Sequence, residues 1–287
     1  MNNNSCVYLN GEYLPAAEAK LSIFDRGFLF ADGVYEVTSV LDGKMIDNPA
    51  HLIRLQRSLA ELGMKLPVTP LQLVEIQREV IRRNGLQEGI LYLQVTRGMV
   101  PERSFAIPQD ATPSLILFTQ TAALRNNPLA ERGICVISVD DIRWQRRDIK
   151  TTMLLPASLA KQQAINAGAD DAWLVENGYV TEGTANNAFI ITQDGKIVTR
   201  HLGNDILHGI TRAAVLKLAN EQSLMLEERS FTLAEAYVAA EAFSTGASAF
   251  VLPVVSIDGH VLGNGKPGSL TRRLRELYLQ TALLLAE

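Results

Sequence analysis

The feature that most constrains the fold is a pair of turn-forming dipeptides in the C-terminal half of the chain. Each of them is flanked by β-forming residues. Asn177-Gly178 follows the run Ala172–Glu176, and Asp194-Gly195 follows the run Ala188–Thr192. A second β-forming run comes directly after each dipeptide. Asn-Gly and Asp-Gly favour the type I′ turns that join neighbouring antiparallel strands. Two such hairpins in succession predict a C-terminal sheet that is rich in antiparallel strands.

The N-terminal third of the chain alternates strand signals with helix signals. Val34–Val40 is rich in β-forming residues and predicts a strand. Asn48-Pro49 then supplies a predicted N-cap and a proline at the first helical position, and leucines follow at helical spacing. This helix would carry His51, Arg54 and Ser58 on one face, beside its leucine stripe.

The length of the chain and one irregular segment predict two domains. At 287 residues the chain is long for one domain and comfortable for two. Hydrophobic residues make up 47% of it, which is enough for a large buried core. Ala122–Gly133 is predicted to link the domains. We therefore expect an α/β (α+β) protein, with a small N-terminal α/β domain over residues 1–122 and a larger domain over residues 123–287.

Charge and cysteine content bear on partners and location. The formal charge of −4 and the pI of about 5.7 argue against general nucleic-acid binding. Two cysteines, Cys6 and Cys135, are too few for a disulfide framework and favour a reducing compartment. Residues 1–5 lack the features of a signal peptide, and no apolar run reaches the roughly 18 residues of a membrane helix. The sequence predicts a soluble cytoplasmic protein without nucleic-acid or membrane partners.

Several common catalytic motifs are missing from the sequence. The four histidines are scattered without metal-ligand spacing, and neither HExxH nor CxxC occurs, so no metal site is predicted. GxSxG, GxxxxGK[ST] and GxGxxG are also absent, which weakens hydrolase, ATP and dinucleotide interpretations. An enzyme without these motifs often takes its chemistry from an organic cofactor.

Four segments, spread in order along the chain, resemble one known family. They are Asp25–Val37, Asp148–Lys150, Val180–Asn187 and Gly209–Arg212. The first two resemble the N-terminal signature and the cofactor-lysine region of the class IV aminotransferases. The third resembles the segment of that family that carries the acidic partner of the pyridine nitrogen, and the fourth resembles its phosphate-binding turn. The class IV aminotransferases are the fold-type IV pyridoxal phosphate enzymes. The resemblance covers nearly the whole chain and implies their two-domain fold, with pyridoxal 5′-phosphate as the cofactor.

The resemblance assigns the covalent chemistry to Lys150, which would form a Schiff base with pyridoxal phosphate. An amine must be partly deprotonated for this reaction, and burial or nearby cations such as Arg146 and Arg147 would lower its pKa from about 10.4. Glu182 is implied to face the pyridine nitrogen and to keep it protonated, so that the ring can accept electrons.

The same resemblance implies which residues hold the cofactor phosphate. Ile210 and Thr211 would offer backbone amides at a helix N-terminus, where anions bind favourably. Arg54, within His51-Leu52-Ile53-Arg54-Leu55, resembles the family's phosphate arginine. A second loop would contribute the backbone amides of Gly246 and Ala247, together with Ser248.

Within this family the nearest resemblance is to the D-amino acid transaminases. Tyr35 matches their strand tyrosine and Arg103 their loop arginine, both of which bind the substrate carboxylate. Arg103 aligns once one inserted residue is allowed. The histidine of that carboxylate site is replaced here by Phe105, or by Ser104 if the gap is moved. A bidentate arginine–carboxylate pair is physically reasonable.

The resulting functional prediction is a ping-pong transaminase of the D-alanine/2-oxoglutarate type, acting on D-amino acids and 2-oxo acids. The resemblance also implies a homodimer in which the Arg103 segment crosses to the second subunit. Two other activities of the family stay open, namely branched-chain L-amino acid transamination and 4-amino-4-deoxychorismate lyase activity.

Overall fold

Residues 5–287, which are the ones the computed structural model describes, form two units that are built on separate sheets. The first unit takes the described residues up to Ala123 together with Ile149–Met153 and Leu285–Glu287. The second unit takes Leu124–Asp148 and Leu154–Leu284. The first four residues, which contribute to the prediction about a signal peptide, lie outside this range.

The first unit is a six-stranded sheet with helices packed on it, and all its strand pairs are antiparallel. The strand order is β2-β1-β6-β5-β3-β4. Its elements are β1 (Cys6–Leu9), β2 (Glu12–Pro15), α1 (Arg26–Phe30), β3 (Gly33–Leu41), β4 (Lys44–Met45), α2 (Asn48–Glu61), α3 (Pro70–Asn84), β5 (Glu88–Thr96) and β6 (Ser114–Thr121).

The core of the first unit follows from the apolar spacing of its helices. Leu55 and Leu59 of α2 belong to one buried cluster with Leu73 of α3 and with Leu91 and Leu117 of the central strands. Burying a leucine fully contributes roughly 1.5–3 kcal/mol. The leucine stripe therefore fixes which face of α2 meets the sheet, and so where its polar residues lie.

The second unit is a nine-stranded mixed sheet with helices. Its elements are α4 (Pro128–Arg132), β7 (Ile134–Asp140), α5 (Leu155–Asn166), β8 (Asp171–Glu176), β9 (Tyr179–Gly183), β10 (Asn187–Ile191), β11 (Ile197–Thr199), α6 (Ile210–Glu221), β12 (Leu226–Glu228), α7 (Leu233–Tyr237), β13 (Glu241–Gly246), β14 (Phe250–Ile257), β15 (His260–Val261) and α8 (Ser269–Leu285).

Antiparallel pairing dominates this second sheet, as predicted. The order is β12-β11-β10-β13-β14-β7-β8-β9, with β15 paired to β14. Three pairs are parallel, β11 with β12, β14 with β7, and β7 with β8. Parallel neighbours need a crossover connection, and α5 lies in the connection from β7 to β8.

One of the two predicted hairpin turns differs from its expectation. Asn177 and Gly178 both have positive φ, 53° and 81°, as a type I′ turn requires. In the second hairpin only Gly195 has positive φ, 84°, and its N–H donates to the carbonyl of Thr192. This is a three-residue loop with a left-handed glycine. Hydrogen bonding between the Thr192 hydroxyl and the Asp194 carboxylate closes it and accounts for the difference.

The prediction that Asn48 caps α2 is wrong. Asp47 occupies the N-cap position, with φ 54° and, within the described chain, no side-chain capping bond. Asn48 is the first helical residue, and its buried amide exchanges two hydrogen bonds of 3.0 and 3.1 Å with the amide of Gln77. A buried amide is costly without partners, so this pairing with α3 outweighs the capping preference.

The predicted division into residues 1–122 and 123–287 stays a prediction, but the structure adds one feature to it. Ile149–Met153 groups with the first unit, although the chain before and after it belongs to the second. Within residues 5–287 there is no helix with the length and apolar character needed to cross a lipid bilayer.

Phe189→Ala is expected to lower the free energy of unfolding of the second unit by about 3–5 kcal/mol. The Phe189 ring is fully buried and stacks on Phe243, with centroids 4.6 Å apart. Urea unfolding followed by tryptophan fluorescence measures the change, because both tryptophans, Trp144 and Trp173, lie in this unit. Ile165→Ala is the control. Its side chain is 54% exposed, so a change within about 0.5 kcal/mol is expected, and equal losses in both variants would contradict the prediction.

Candidate active site

Lys150 is held by its backbone against the start of β3. The N–H of Tyr35 donates to the Lys150 carbonyl at 3.0 Å, and the N–H of Thr152 donates to the Gly33 carbonyl at 3.0 Å. The N–H of Lys150 itself donates to Ser58 Oγ at 3.4 Å. These bonds fix the main chain around the lysine, so its side chain projects from a defined position.

The amine of Lys150 lies over an aromatic ring. Its Nζ is 4.2 Å from the centroid of Tyr35, a geometry in which a ring attracts an ammonium group. Tyr35 stacks on Tyr92 with centroids 5.5 Å apart, and Tyr92 stacks on Phe118 at 4.6 Å. Burial raises the pKa of the Tyr92 hydroxyl. The column of three rings crosses β3, β5 and β6 and limits the movement of the Tyr35 ring.

Arg54 is anchored by a buried carboxylate. Its Nε donates to Glu36 Oε1 at 2.9 Å and its Nη2 to Glu36 Oε2 at 2.7 Å. His51 Nδ1 lies 2.7 Å from the same Oε2. Burial alone would raise the pKa of Glu36, but the charges and hydrogen bonds of Arg54 and His51 lower it to about 2. Glu36 therefore stays ionised and fixes the guanidinium in one orientation.

Glu182 lies at the end of β9 in the second unit and is buried. Arg143 Nη1 donates to its Oε1 at 2.6 Å, and Asn187 Nδ2 donates to its Oε2 at 2.9 Å. The N–H of Leu207 also donates to this carboxylate. Burial raises the pKa of Glu182 above its ordinary value, and Arg143 and the Leu207 amide oppose that rise. A carboxyl balanced in this way can share a proton with a basic nitrogen.

The start of α6 adjoins this carboxylate group. Gly209 precedes the helix, and among the described residues no side chain caps the helix N-terminus. A Cβ at Gly209 would lie 2.0 Å from Asn187 Oδ1, so a larger residue there would displace the Asn187 side chain from Glu182. The first amides of α6, those of Ile210 and Thr211, form the kind of helix end that binds anions.

The end of β13 contributes to the same part of the second unit. Thr245 pairs directly with Asn187 in the sheet, so the two side chains share a face. Within residues 5–287 the buried Thr245 hydroxyl has no hydrogen-bond partner. Gly246 approaches the backbone of the neighbouring turn so closely that a Cβ would lie 3.2 Å from the Ala185 carbonyl oxygen.

The structure brings most of the predicted residues together within their own units. Lys150 and Tyr35 are in contact in the first unit, and Arg54 lies on the same helix as Ser58, which binds the Lys150 backbone. In the second unit Glu182 binds Asn187, and Gly209, which precedes Ile210 and Thr211, approaches the same side chain. Gly246 follows Thr245, the strand partner of Asn187, whereas Ser248 is exposed in the turn beyond Ala247.

Arg103 is not in contact with Lys150 or Tyr35 among the residues that the structure describes. Its guanidinium instead lies 5.2 Å from the ring centroids of Phe30 and Phe105. The predicted role of Arg103 therefore stays a prediction.

Three residues that were not predicted as site residues orient the predicted ones. Glu36 holds Arg54, Arg143 holds Glu182, and Tyr92 supports Tyr35. For Glu36 a signal did exist, because a carboxylate within the largely apolar strand Val34–Val40 needs a buried cation. Arg143 and Tyr92 gave no such signal, since each is ordinary in its local sequence.

The described residues fit pyridoxal phosphate. They include an amine on a fixed backbone, a buried carboxyl of raised pKa, an uncapped helix N-terminus and an unpartnered buried hydroxyl at Thr245. These groups match an aldehyde, a pyridine nitrogen and a phosphate in their chemistry.

Known proteins resemble this chain in sequence and in fold. The family described as Amino-transferase class IV matches residues 33–257. A D-alanine aminotransferase of Staphylococcus aureus (strain MSSA476) is 37% identical over 271 residues, which cover 94% of this chain and 95% of that protein. A D-alanine aminotransferase of Bacillus licheniformis is 38% identical over 278 residues, which cover 97% of each.

A solved structure resembles the fold. The branched-chain aminotransferase from Thermoproteus uzoniensis, solved with norvaline, superposes with a TM-score of 0.85 at 28% identity. The alignment covers 97% of this chain and 94% of that one.

The chain belongs to the class IV aminotransferases, because the family matches most of its length and both sequence relatives cover nearly all of it. The resemblance based on four ordered segments is thereby confirmed. The protein is a pyridoxal-phosphate-dependent aminotransferase with the fold-type IV architecture, and its substrates are amino acids and 2-oxo acids.

Glu36→Gln is expected to destabilise the first unit by about 3 kcal/mol near pH 7, because it removes one partner of a buried ion pair. The folded-state pKa of about 2 lies below the ordinary value of 4.5. The charge of Glu36 thus contributes stability above the ordinary pKa, and this stability is lost as the pH falls toward the folded pKa. The difference between wild type and variant should shrink progressively as the pH falls from about 5 to about 2.

Urea unfolding followed by far-UV circular dichroism at several pH values measures this difference. Glu79→Gln is the matched control, since the pKa of Glu79 is also lowered to about 2, by Arg82 and Arg83, but on an exposed helix face. Its unfolding midpoint should not change. A Glu36→Gln cost that is independent of pH would contradict the prediction.

Proposed function

We propose that this protein is a D-amino acid transaminase of the D-alanine/2-oxoglutarate type. The observation that carries the proposal is the position of Lys150 Nζ over Tyr35, in a chain 37–38% identical to D-alanine aminotransferases. Tyr35 matches the tyrosine that binds the substrate carboxylate in that group. A carboxylate bound beside Lys150 would hold the substrate Cα within reach of its amine.

Pyridoxal phosphate supplies an aldehyde that accepts the amino group and a ring that accepts electrons. Lys150 would hold the cofactor through Nζ and, after a substrate amine displaces it, carry a proton from the substrate Cα to C4′. Glu182 would keep a proton on the pyridine nitrogen, and its raised pKa and buried position support this role. The two half-reactions form a ping-pong cycle.

The phosphate would be held by Arg54, by the amides of Ile210 and Thr211, and by the loop Gly246–Ser248. The uncapped start of α6 and the close approach of Gly246 to Ala185 support the backbone contacts. Glu36 supports the role of Arg54, because it fixes the guanidinium while remaining ionised. Arg103 would bind the substrate carboxylate from a loop rather than from the sheet.

We also propose that the protein is a homodimer. Several large apolar side chains of the first unit are exposed, including Phe28 at 75% and Phe105 at 79%. Met99 is 62% exposed and forms an isolated β-bridge with Asp25, the N-cap residue of α1, the helix that carries Phe28. Such a group of exposed apolar residues is typical of an interface between subunits. The cytoplasmic location and the absence of nucleic-acid and membrane partners stay predictions from composition.

Branched-chain L-amino acid transamination is the second candidate. Its support is the fold, since the Thermoproteus uzoniensis enzyme superposes with a TM-score of 0.85. The identity of 28% to that enzyme is lower than the 37–38% to the D-alanine aminotransferases, and this difference favours the D-specific proposal. The lyase alternative uses the same lysine and therefore needs a separate test.

Lys150→Ala is expected to abolish the absorbance of the covalently held cofactor and to lower transaminase activity by about 10²- to 10⁴-fold or more. Borohydride treatment of the wild type should attach the cofactor to the peptide that contains Lys150, as read by mass spectrometry. Lys161→Ala is the control, because this lysine lies in the second unit, where it binds Asp171, whereas Lys150 groups with the first unit. Cofactor attached to another lysine would overturn the assignment.

Half-reactions without a 2-oxo acid test the substrate. D-Alanine should convert the bound cofactor to pyridoxamine phosphate and release pyruvate in equal amount, whereas L-leucine should leave it unchanged. Conversion by L-leucine alone would overturn the D-specific proposal and support the branched-chain candidate. Pyruvate release from 4-amino-4-deoxychorismate with the cofactor unchanged would support the lyase alternative.

A further inference from the structure

The loop that carries Arg103, residues 98–113 between β5 and β6, begins beside a buried ion network. Asp32 is its centre, and its Oδ2 accepts from Arg26 Nε at 2.7 Å and from Arg97 Nε at 2.7 Å. Arg26 and Arg97 are only 4% and 6% exposed. Burial favours the neutral form of Asp32, but hydrogen bonds and charges from both arginines outweigh it and lower its pKa. The network therefore stays charged at neutral pH.

The other end of Arg26 holds the loop. Its Nη1 donates to the Ser104 carbonyl at 2.7 Å and to the Ala106 carbonyl at 3.3 Å. Its backbone N–H donates to the Gly98 carbonyl at 2.9 Å. One side chain thus joins Asp32 to the two carbonyls that flank residue 105. Only a guanidinium has donors far enough apart to bind both sides at once.

An aromatic contact extends this anchor to Arg103. The Arg26 Cζ lies 4.5 Å from the centroid of Phe30, and the Arg103 Cζ lies 5.2 Å from the same centroid. The Phe105 ring lies 5.5 Å from Phe30 and 5.2 Å from the Arg103 Cζ. Arg103 therefore rests on two rings, both of which are held near Arg26. Cation–π contacts of this kind are individually weak at exposed sites, so the fixed loop backbone must do most of the positioning.

We propose that Arg26 is a positioning residue for substrate binding, which fixes the loop through Ser104 and Ala106 and so directs Arg103 toward the substrate carboxylate. This inference rests on the proposed role of Arg103. Phe105 then acts by packing rather than by hydrogen bonding, which accounts for a phenylalanine where the D-amino acid transaminases have a histidine. The side-chain contacts of Arg26 itself are with Asp32, with the two loop carbonyls and with the Phe30 ring.

Arg26→Lys tests the proposal, because lysine keeps the charge beside Asp32 but cannot also reach the loop carbonyls. The KM for D-alanine should rise about tenfold, as expected for the loss of charge-assisted hydrogen bonds. The kcat and the absorbance of the bound cofactor should change little. D-Alaninamide, which lacks the carboxylate, should show no rise in KM. Arg82→Lys, on an exposed helix face, is the matched control.

A rise in KM that is equal for D-alanine and D-alaninamide would show a merely structural role for Arg26 and overturn the proposal. A fall in kcat with no change in KM would do the same. If Arg26→Lys fails to bind cofactor, Phe30→Leu carries the test, since it removes the ring contact to Arg103 and leaves the ion network. Its KM for D-alanine should also rise, by less than in Arg26→Lys because a single cation–π contact is weak, with the KM for D-alaninamide unaffected. An unchanged KM in that variant would count against the proposal.

Arg103→Ala separates this inference from the function on which it rests. If Arg103→Ala leaves the KM for D-alanine unchanged, the proposed role of Arg103 fails. If Arg103→Ala raises the KM but Arg26→Lys does not, only the positioning inference fails. If each substitution alone raises the KM for D-alanine, adding Arg26→Lys to Arg103→Ala should not raise that KM further, because the two substitutions act on one contact.

Discussion

The backbone pairing of Lys150 with β3 is the interaction on which the arrangement of the first unit depends. Through it the lysine is tied to Tyr35, and because side chains alternate along a strand, the next residue, Glu36, faces the opposite side of the sheet. Tyr35 faces the aromatic column and the lysine amine, whereas Glu36 faces α2 and binds Arg54. A slip of one residue in this pairing would turn the Lys150 side chain away from the Tyr35 face of the sheet.

The pKa values of two buried carboxylates, Glu36 and Glu182, are shifted in opposite directions. Glu36 meets both Arg54 and His51, and its pKa is lowered to about 2. Glu182 meets Arg143, but burial prevails and its pKa is raised. The first carboxylate therefore behaves as a permanent charge that orients a neighbour, and the second can exchange a proton. The difference follows from the number and charge of the surrounding donors, because both groups are almost completely buried.

Local signals predicted most of the fold and the residues of the motif segments. Asn177-Gly178 forms its predicted type I′ turn, because this preference acts between near neighbours in the chain. The cap of α2 could not be predicted in this way. Asn48 is committed to Gln77, which lies 29 positions away and on another helix. The candidate site also combines local and distant signals. Lys150 and Glu182 are recognisable from the residues beside them in the sequence.

Arg143 and Arg26, in contrast, owe their roles to partners distant in sequence. Arg143 reaches a carboxylate 39 positions later, and Arg26 reaches a carbonyl 78 positions later. Such contacts are decided by the packing of whole strands and loops, which short patterns do not contain.

The grouping of Ile149–Met153 with the first unit has a consequence for how the chain can be divided. The chain runs through the second unit, gives five residues to the first and then returns. A cut in the link near Ala123 would leave Lys150 on the C-terminal fragment, while β3 and the stacked rings beside the Lys150 amine stay on the other. Neither fragment would be a self-sufficient module, and reassembly would require the C-terminal fragment to add the segment Ile149–Met153 to the N-terminal one.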